Sequence, residues 1–192
     1  SDVCSSDLGA LASRLPPCRR GMDSLHAPWR IDYILGPKSP GDGASLFTRI
    51  AQSSDDEANY VLARERTCYA VLNTYPYNGG HLMVVPYKEV PDLDLLTDEE
   101  LTGLMKLTRR CMAALRRVMK PEGFNVGINL GKVAGAGIAE HLHIHVVPRW
   151  GGDTNFMPVI AGTAVLPEAL RDVAAKLRAA LADETASIGS RP

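Results

Sequence analysis

Between Glu140 and Trp150 the chain reads Glu-His-Leu-His-Ile-His-Val-Val-Pro-Arg-Trp, placing three of its five histidines, His141, His143 and His145, at alternate positions. With Leu142, Ile144 and Val146 between them, the spacing has the two-residue period of a half-buried strand. The three imidazoles are therefore expected on one face, free to meet a ligand, with the aliphatic residues on the core side. Just upstream runs Gly131-Lys132-Val133-Ala134-Gly135-Ala136-Gly137. Such a loop lets backbone N–H groups, those of Gly135, Ala136 and Gly137 above all, come close to an anion. A histidine row beside it points to phosphate chemistry.

Three readings of the row are open on the residues alone. A metal site is the first, since histidine is the commonest metal ligand. His141 and His145 stand roughly 13 Å apart along a straight strand, so with zinc–nitrogen bonds near 2 Å a three-histidine cage needs a kink or outside ligands. No His-Glu-x-x-His helix, Cys-x-x-Cys pair or adjacent carboxylate cluster supplies them. The second is nucleophilic catalysis, in which one imidazole nitrogen attacks phosphorus while the other is held as a donor. The middle histidine, His143, has neighbours on both sides to hold substrate oxygens, and the glycine loop would meet the nonbridging oxygens. The third is a solvent-facing strand that happens to carry three polar residues.

The elements that must position the row can be read from the rest of the chain. Tyr60–Ala63 and Thr67–Leu72 are β-rich runs around Arg64-Glu65-Arg66, an expected antiparallel hairpin, and His81–Pro86 follows a turn-rich loop from Asn73 to Gly80 as a third strand. Thr97 to about Met119 is expected as one long helix opened by a capping box of Thr97 and Glu100. Its apolar stripe is Leu101, Leu104, Met105, Thr108, Cys111, Met112, Leu115, Val118 and Met119. Lys106, Arg109, Arg110 and Arg116 lie off it as a solvated basic side. Phe124–Gly131 alternates, so that Asn129 faces away from Ile128 and Leu130, and it pairs antiparallel with the histidine strand. Shorter helices are expected at Trp29–Leu35 and Leu46–Ala51, and a final one from Pro167 to Asp183. The expectation is an α+β fold: an antiparallel sheet of about five strands, a long middle helix and a C-terminal helix.

At 192 residues there is room for one domain with a substantial core. Residues 1–21 lack hydrophobic periodicity and read as a non-native or disordered extension before Met22; residues 22–185 form the domain and 186–192 a disordered tail. With 45% hydrophobic and 22% charged residues and a net charge of −1, neither nucleic acid nor an anionic membrane is an expected partner. The four scattered cysteines and the lack of a long apolar run imply free thiols in a cytoplasmic protein.

His141-Leu142-His143-Ile144-His145-Val146-Val147 matches the H-φ-H-φ-H-φ-φ signature of the histidine triad (HIT) superfamily. The resemblance extends over Leu72-Asn73, Gly80–Pro86, the long helix and the Asn129 strand. In the Pro-Arg-Trp-Gly-Gly-Asp run after the triad the chain looks most like the bacterial diadenosine tetraphosphate phosphorylases, and more widely it resembles the fragile histidine triad branch. This resemblance implies a HIT-like fold and a nucleotidyl transferase or hydrolase that attacks an α-phosphorus through His143 to form a nucleotidyl-histidine. His141 and His145 would contact phosphate and support the nucleophile's tautomer, and His81 would join the active-site network. Asn73 would meet the ribose, Asn129 a phosphate or leaving group, Lys132 a distal phosphate, and Tyr75, Tyr77 and Trp150 the base or distal pocket.

The implied reaction is cleavage of diadenosine tetraphosphate, with inorganic phosphate as co-substrate, to ATP and ADP. Hydrolysis of diadenosine triphosphate, nucleoside phosphoramidates or adenylylated lysine is the neighbouring reading, a nucleotide-binding sensor with little activity another, and a metal-dependent hydrolase a third. No cofactor is required, although a divalent ion can accompany the substrate, and homodimers are usual. Ala136-Gly137 departs from the glutamine or serine of many relatives, so a contact to the departing oxygen would fall to backbone or be absent.

Overall fold

The computed structural model describes residues 44–153 and 168–188. The expected extension 1–21, the Trp29–Leu35 helix and the last four residues of the tail lie outside them. In chain order the elements are α1 (Leu46–Gln52), β1 (Val61–Arg64), β2 (Cys68–Leu72), β3 (Leu82–Pro86), α2 (Asp98–Met119), β4 (Gly123–Ile128), β5 (Ile144–Arg149) and α3 (Leu170–Ile188). The five strands make one antiparallel sheet in the order β1-β2-β3-β5-β4.

Alternation in β2, β3 and β5 splits the interior into two layers. Ala70, Leu72, Leu82, Val84, Ile144 and Val146 face α2 and α3, with Leu104, Leu107, Cys111, Leu115, Val173 and Leu177 against them. Tyr69, Val71, Met83 and Val85 face the other way, onto Phe47 of α1. The Tyr69 hydroxyl donates to the Phe47 carbonyl at 2.7 Å and holds α1 on that face.

Helix α2 starts where its capping box requires. Thr97 Oγ1 accepts from the Glu100 N–H, and the Glu100 carboxylate accepts from the Thr97 N–H, an arrangement worth about 1 kcal/mol. The helix ends on Lys120 in the left-handed conformation. Its buried face differs by one column from the expected stripe. Leu107 and Ala114 are buried, whereas Met105 is 59% exposed, because the face is centred on the 104-107-108-111-115 line. Thr108 is buried and donates its hydroxyl to the Leu104 carbonyl. On the polar side Arg110 pairs with Glu65, and the Arg116 guanidinium lies 5.0 Å from the Phe124 ring centroid.

Two expectations about the histidine strand need correction. Regular pairing starts only at Ile144, so His141–His143 approach the sheet as irregular chain. The histidine face is also covered: His141 is 0% and His143 5% exposed, because Phe47 sits 5.6 Å from the first ring and 4.9 Å from the second.

Candidate active site

Four histidines gather on the α1 side of the sheet. Met83 of β3 pairs with His145 of β5, and residues 81, 83 and 85 share a face, so His81 lies diagonal to His145 on that face. Its Nε2 is 3.0 Å from His145 Nδ1, while the rings of His143 and His145 meet edge to face at 4.7 Å. The structure therefore unites His81, His143 and His145, with His141 just behind them.

The partners assign the tautomers, because a backbone N–H can only donate and a carbonyl only accept. His81 Nδ1 accepts from the Tyr77 N–H at 3.1 Å and faces Asn73 Nδ2 at 3.4 Å. Its proton is thus on Nε2 and is donated to His145 Nδ1, which places the His145 proton on Nε2. His143 donates from Nδ1 to the His141 carbonyl at 2.9 Å. The lone pair of the His143 ring is therefore on Nε2, as a nucleophile requires. His141 donates from Nε2 to the Pro86 carbonyl at 2.9 Å and accepts at Nδ1 from the Ser45 hydroxyl at 2.6 Å. Burial holds its pKa below the ordinary value, against the Pro86 bond and the charge of Glu89, so the ring is neutral. Both nitrogens of His141 are thus engaged by protein groups in the interior.

Asn73 follows β2 in a turn: its N–H donates to the His81 carbonyl and its Oδ1 accepts from the Tyr75 N–H. Gly80 has φ +77°, and a Cβ there would lie 2.6 Å from Met119 Sδ, so glycine lets the chain swing straight into His81. Tyr77 stacks on His81 at 5.0 Å and turns its ring toward His145 at 6.2 Å; it is 44% exposed, forming the solvent-side wall of the cluster.

The glycine loop is a 3-10 turn at Lys132–Ala134. The amides of Ala134, Gly135 and Ala136 are turned onto the carbonyls of Gly131 and Lys132, which leaves Gly137 as the member of the expected phosphate-facing trio not used in this turn. Gly135 has φ +90°, and its position faces Asn129 Nδ2 at 4.0 Å, so Asn129 packs toward the loop. Lys132 is exposed. Trp150 donates its indole N–H to the Lys120 carbonyl at 3.2 Å. This bond seats the ring at the end of α2.

Residues the sequence reading missed complete the surroundings. Asp153 Oδ2 accepts from Asn78 Nδ2, Arg149 Nε and the Trp150 N–H at 2.8, 2.6 and 3.2 Å. It ties the chain after β5 to the loop that carries Tyr77. Ser45, Thr48 and Glu89 surround His141. A signal for Asp153 was present in the Gly-Gly-Asp run, but nothing local marked the other three.

A HIT domain family model matches residues 55–152. Over 160 residues the chain is 49% identical to the AP-4-A phosphorylase of Mycobacterium tuberculosis, covering 80% of this chain and 82% of that protein. Over 93 residues it is 34% identical to the asymmetrical bis(5'-nucleosyl)-tetraphosphatase of Schizosaccharomyces pombe, covering 48% of this chain and 50% of that one. Among solved structures, a zinc-bound histidine triad family protein from Mycobacterium smegmatis superposes with TM-score 0.61 at 27% identity, covering 77% of this chain and 99% of that one. Among the described residues here, no group of three or more His, Cys, Asp or Glu could hold a metal.

Proposed function

Since the chain belongs to the HIT domain family, we propose that it is a nucleotidyl transferase that cleaves diadenosine tetraphosphate by phosphorolysis to ATP and ADP. The observation that carries this reading is the hydrogen bond from His143 Nδ1 to the His141 carbonyl, which places the ring's lone pair on Nε2. That nitrogen attacks the α-phosphorus and expels ATP, leaving AMP on the ring. Inorganic phosphate then breaks the N–P bond and departs as part of ADP. His145, protonated on Nε2, donates to the phosphate or to the departing oxygen, where charge develops. Asn73 meets the ribose, and Asn129, Lys132 and the Gly137 amide take the further phosphates.

Incubation with diadenosine tetraphosphate, with and without inorganic phosphate, tests the assignment. ADP and ATP formed only with phosphate is the expected outcome. AMP formed without phosphate would make the protein a hydrolase.

The protein is further proposed to be a cytoplasmic homodimer whose domain is 22–185. Among the described residues no helix is long and apolar enough to cross a membrane, and Cys68 and Cys111 are buried and in no disulfide, as suits a reducing compartment. β4 is an edge strand with Val126 44% exposed, and the outer face of α2 carries an open groove lined by Leu101, Thr102, Met105, Lys106 and Arg109. Sedimentation of the full chain and of a chain starting at Met22 tests both points: a dimer with equal activity in the two is expected.

A further inference from the structure

The nucleophile's tautomer depends on one backbone carbonyl, that of His141, and this carbonyl lies before β5 begins. No strand ladder fixes it. What fixes it is visible in the groups around the His141 ring. One end of the ring is bound to the Pro86 carbonyl at the end of β3. The other end is bound to Ser45, the residue that caps α1. The Leu142 N–H, which shares a peptide plane with the His141 carbonyl, is donated to the Val90 carbonyl at 2.7 Å and helps to orient that plane.

The protons in this cluster have a single arrangement. The Glu89 carboxylate, held below the ordinary carboxylate range chiefly by its bond from Thr48, can only accept. It takes the Thr48 hydroxyl proton at 2.5 Å and the Ser45 N–H at 3.2 Å. Ser45 Oγ already accepts from the Thr48 N–H at 3.1 Å, and its own proton goes to His141 Nδ1. Thr48 Oγ1 lies 3.4 Å from the same nitrogen and 3.1 Å from Ser45 Oγ. With its proton committed to Glu89, it does not compete for that nitrogen.

We propose that Ser45, Thr48 and Glu89 are positioning residues for the nucleophile: they lock the His141 ring, whose carbonyl in turn holds the proton of His143 on Nδ1. The same clasp seats α1, so that Phe47 closes over the His143 ring. Glu89 acts at the far end of the chain. It commits the Thr48 hydroxyl and so leaves Ser45 as the donor to His141. This inference rests on His143 being the nucleophile, as the functional reading has it.

The test compares the wild type with Ser45→Ala, Thr48→Val, Thr48→Ser and Glu89→Gln by imidazole nitrogen NMR and by steady-state turnover of diadenosine tetraphosphate. In the wild type His143 is expected as the Nδ1–H tautomer and His141 as Nε2–H. Ser45→Ala and Thr48→Val should mix the His143 tautomers and lower kcat about 10- to 100-fold, the loss typical when the outer partner of a working histidine is removed, with KM nearly unchanged. Thr48→Ser should restore both readings. Glu89→Gln, at an exposed position that folding tolerates, should show the same tautomer mixing to a smaller extent.

Wild-type kcat in Ser45→Ala and Thr48→Val overturns the proposal, as does an unaltered His143 tautomer beside a reduced rate, or a Thr48→Ser variant as impaired as Thr48→Val. The NMR arm needs no substrate. If the wild type failed to cleave diadenosine tetraphosphate, the functional reading would fall while the tautomer comparison still decided this one.

Discussion

His81 Nε2 lies 3.0 Å from His145 Nδ1, and because the Tyr77 N–H occupies the other nitrogen of His81, the proton between the two rings belongs to His81. His145 is thereby left with its own proton on Nε2, a donor instead of a second base beside His143. His81 is fully buried, and in the proposed mechanism it acts through His145. Replacing it with alanine should lower kcat by roughly 10- to 100-fold while KM stays within about twofold. His81→Gln, which keeps an N–H donor, should recover part of the loss in the same assay.

Asp153 should matter for the loop more than for the reacting atoms. Its carboxylate joins Arg149, Asn78 and the Trp150 amide, and the aspartate side chain of the ion pair is only 10% exposed. Asp153→Ala strands these donors, so urea unfolding should show a stability lower by roughly 1–3 kcal/mol. Asp153→Asn should lose less, since it still accepts.

Gly80 stands immediately before His81 in the left-handed region. Gly80→Ala should destabilise the protein by roughly 1–2 kcal/mol from the backbone alone, and more if Met119 Sδ cannot retreat from the added carbon. Calorimetric melting checks this, and Met119→Ala in the same chain should relieve the contact while leaving the backbone strain.

The pH dependence of stability follows from His141. Its folded-state pKa lies below the ordinary 6.5, so the unfolded chain binds its proton first as pH falls. The stabilisation is fully present above 6.5 and is lost as pH drops through the folded value. Glu89, whose pKa is also lowered from 4.5, adds a second loss below that value. Urea midpoints between pH 4 and 8 should fall toward acid in the wild type. In His141→Gln the slope just below 6.5 should flatten, and in Glu89→Gln the slope at the acid end.

The sheet, the capping box and the alternation of the histidines were legible because each is a local pattern: strand period, a Thr-x-x-Glu signature, a Gly-Gly turn before His81. The spacing of the triad also singles out His143 as the candidate nucleophile. What the residues did not disclose is set by contacts between distant segments. Ser45 meets His141 across 96 positions and Thr48 meets Glu89 across 41; a Ser-Leu-Phe-Thr tetrapeptide carries no local sign that it will cover an imidazole. The same cover buries a histidine face that period-two reasoning leaves open, since alternation separates the two faces of a strand without saying what packs on each. Leu107 was missed because Met105 offers an equally apolar neighbour, and only the placement of α2 against Ala70 and Val84 chooses between the two columns.

In the proposed mechanism His143 Nε2 carries the nucleotidyl group. Diadenosine tetraphosphate labelled at its α-phosphates should be incubated with the enzyme without inorganic phosphate, quenched in alkali to preserve a histidine N–P bond, and the protein digested and mapped. Label is expected on His143, with its release as ADP when phosphate is added before the quench, and no label is expected in His143→Ala, whose turnover falls at least about a thousand-fold. Label on another residue, or turnover by His143→Ala at the wild-type rate, would contradict it.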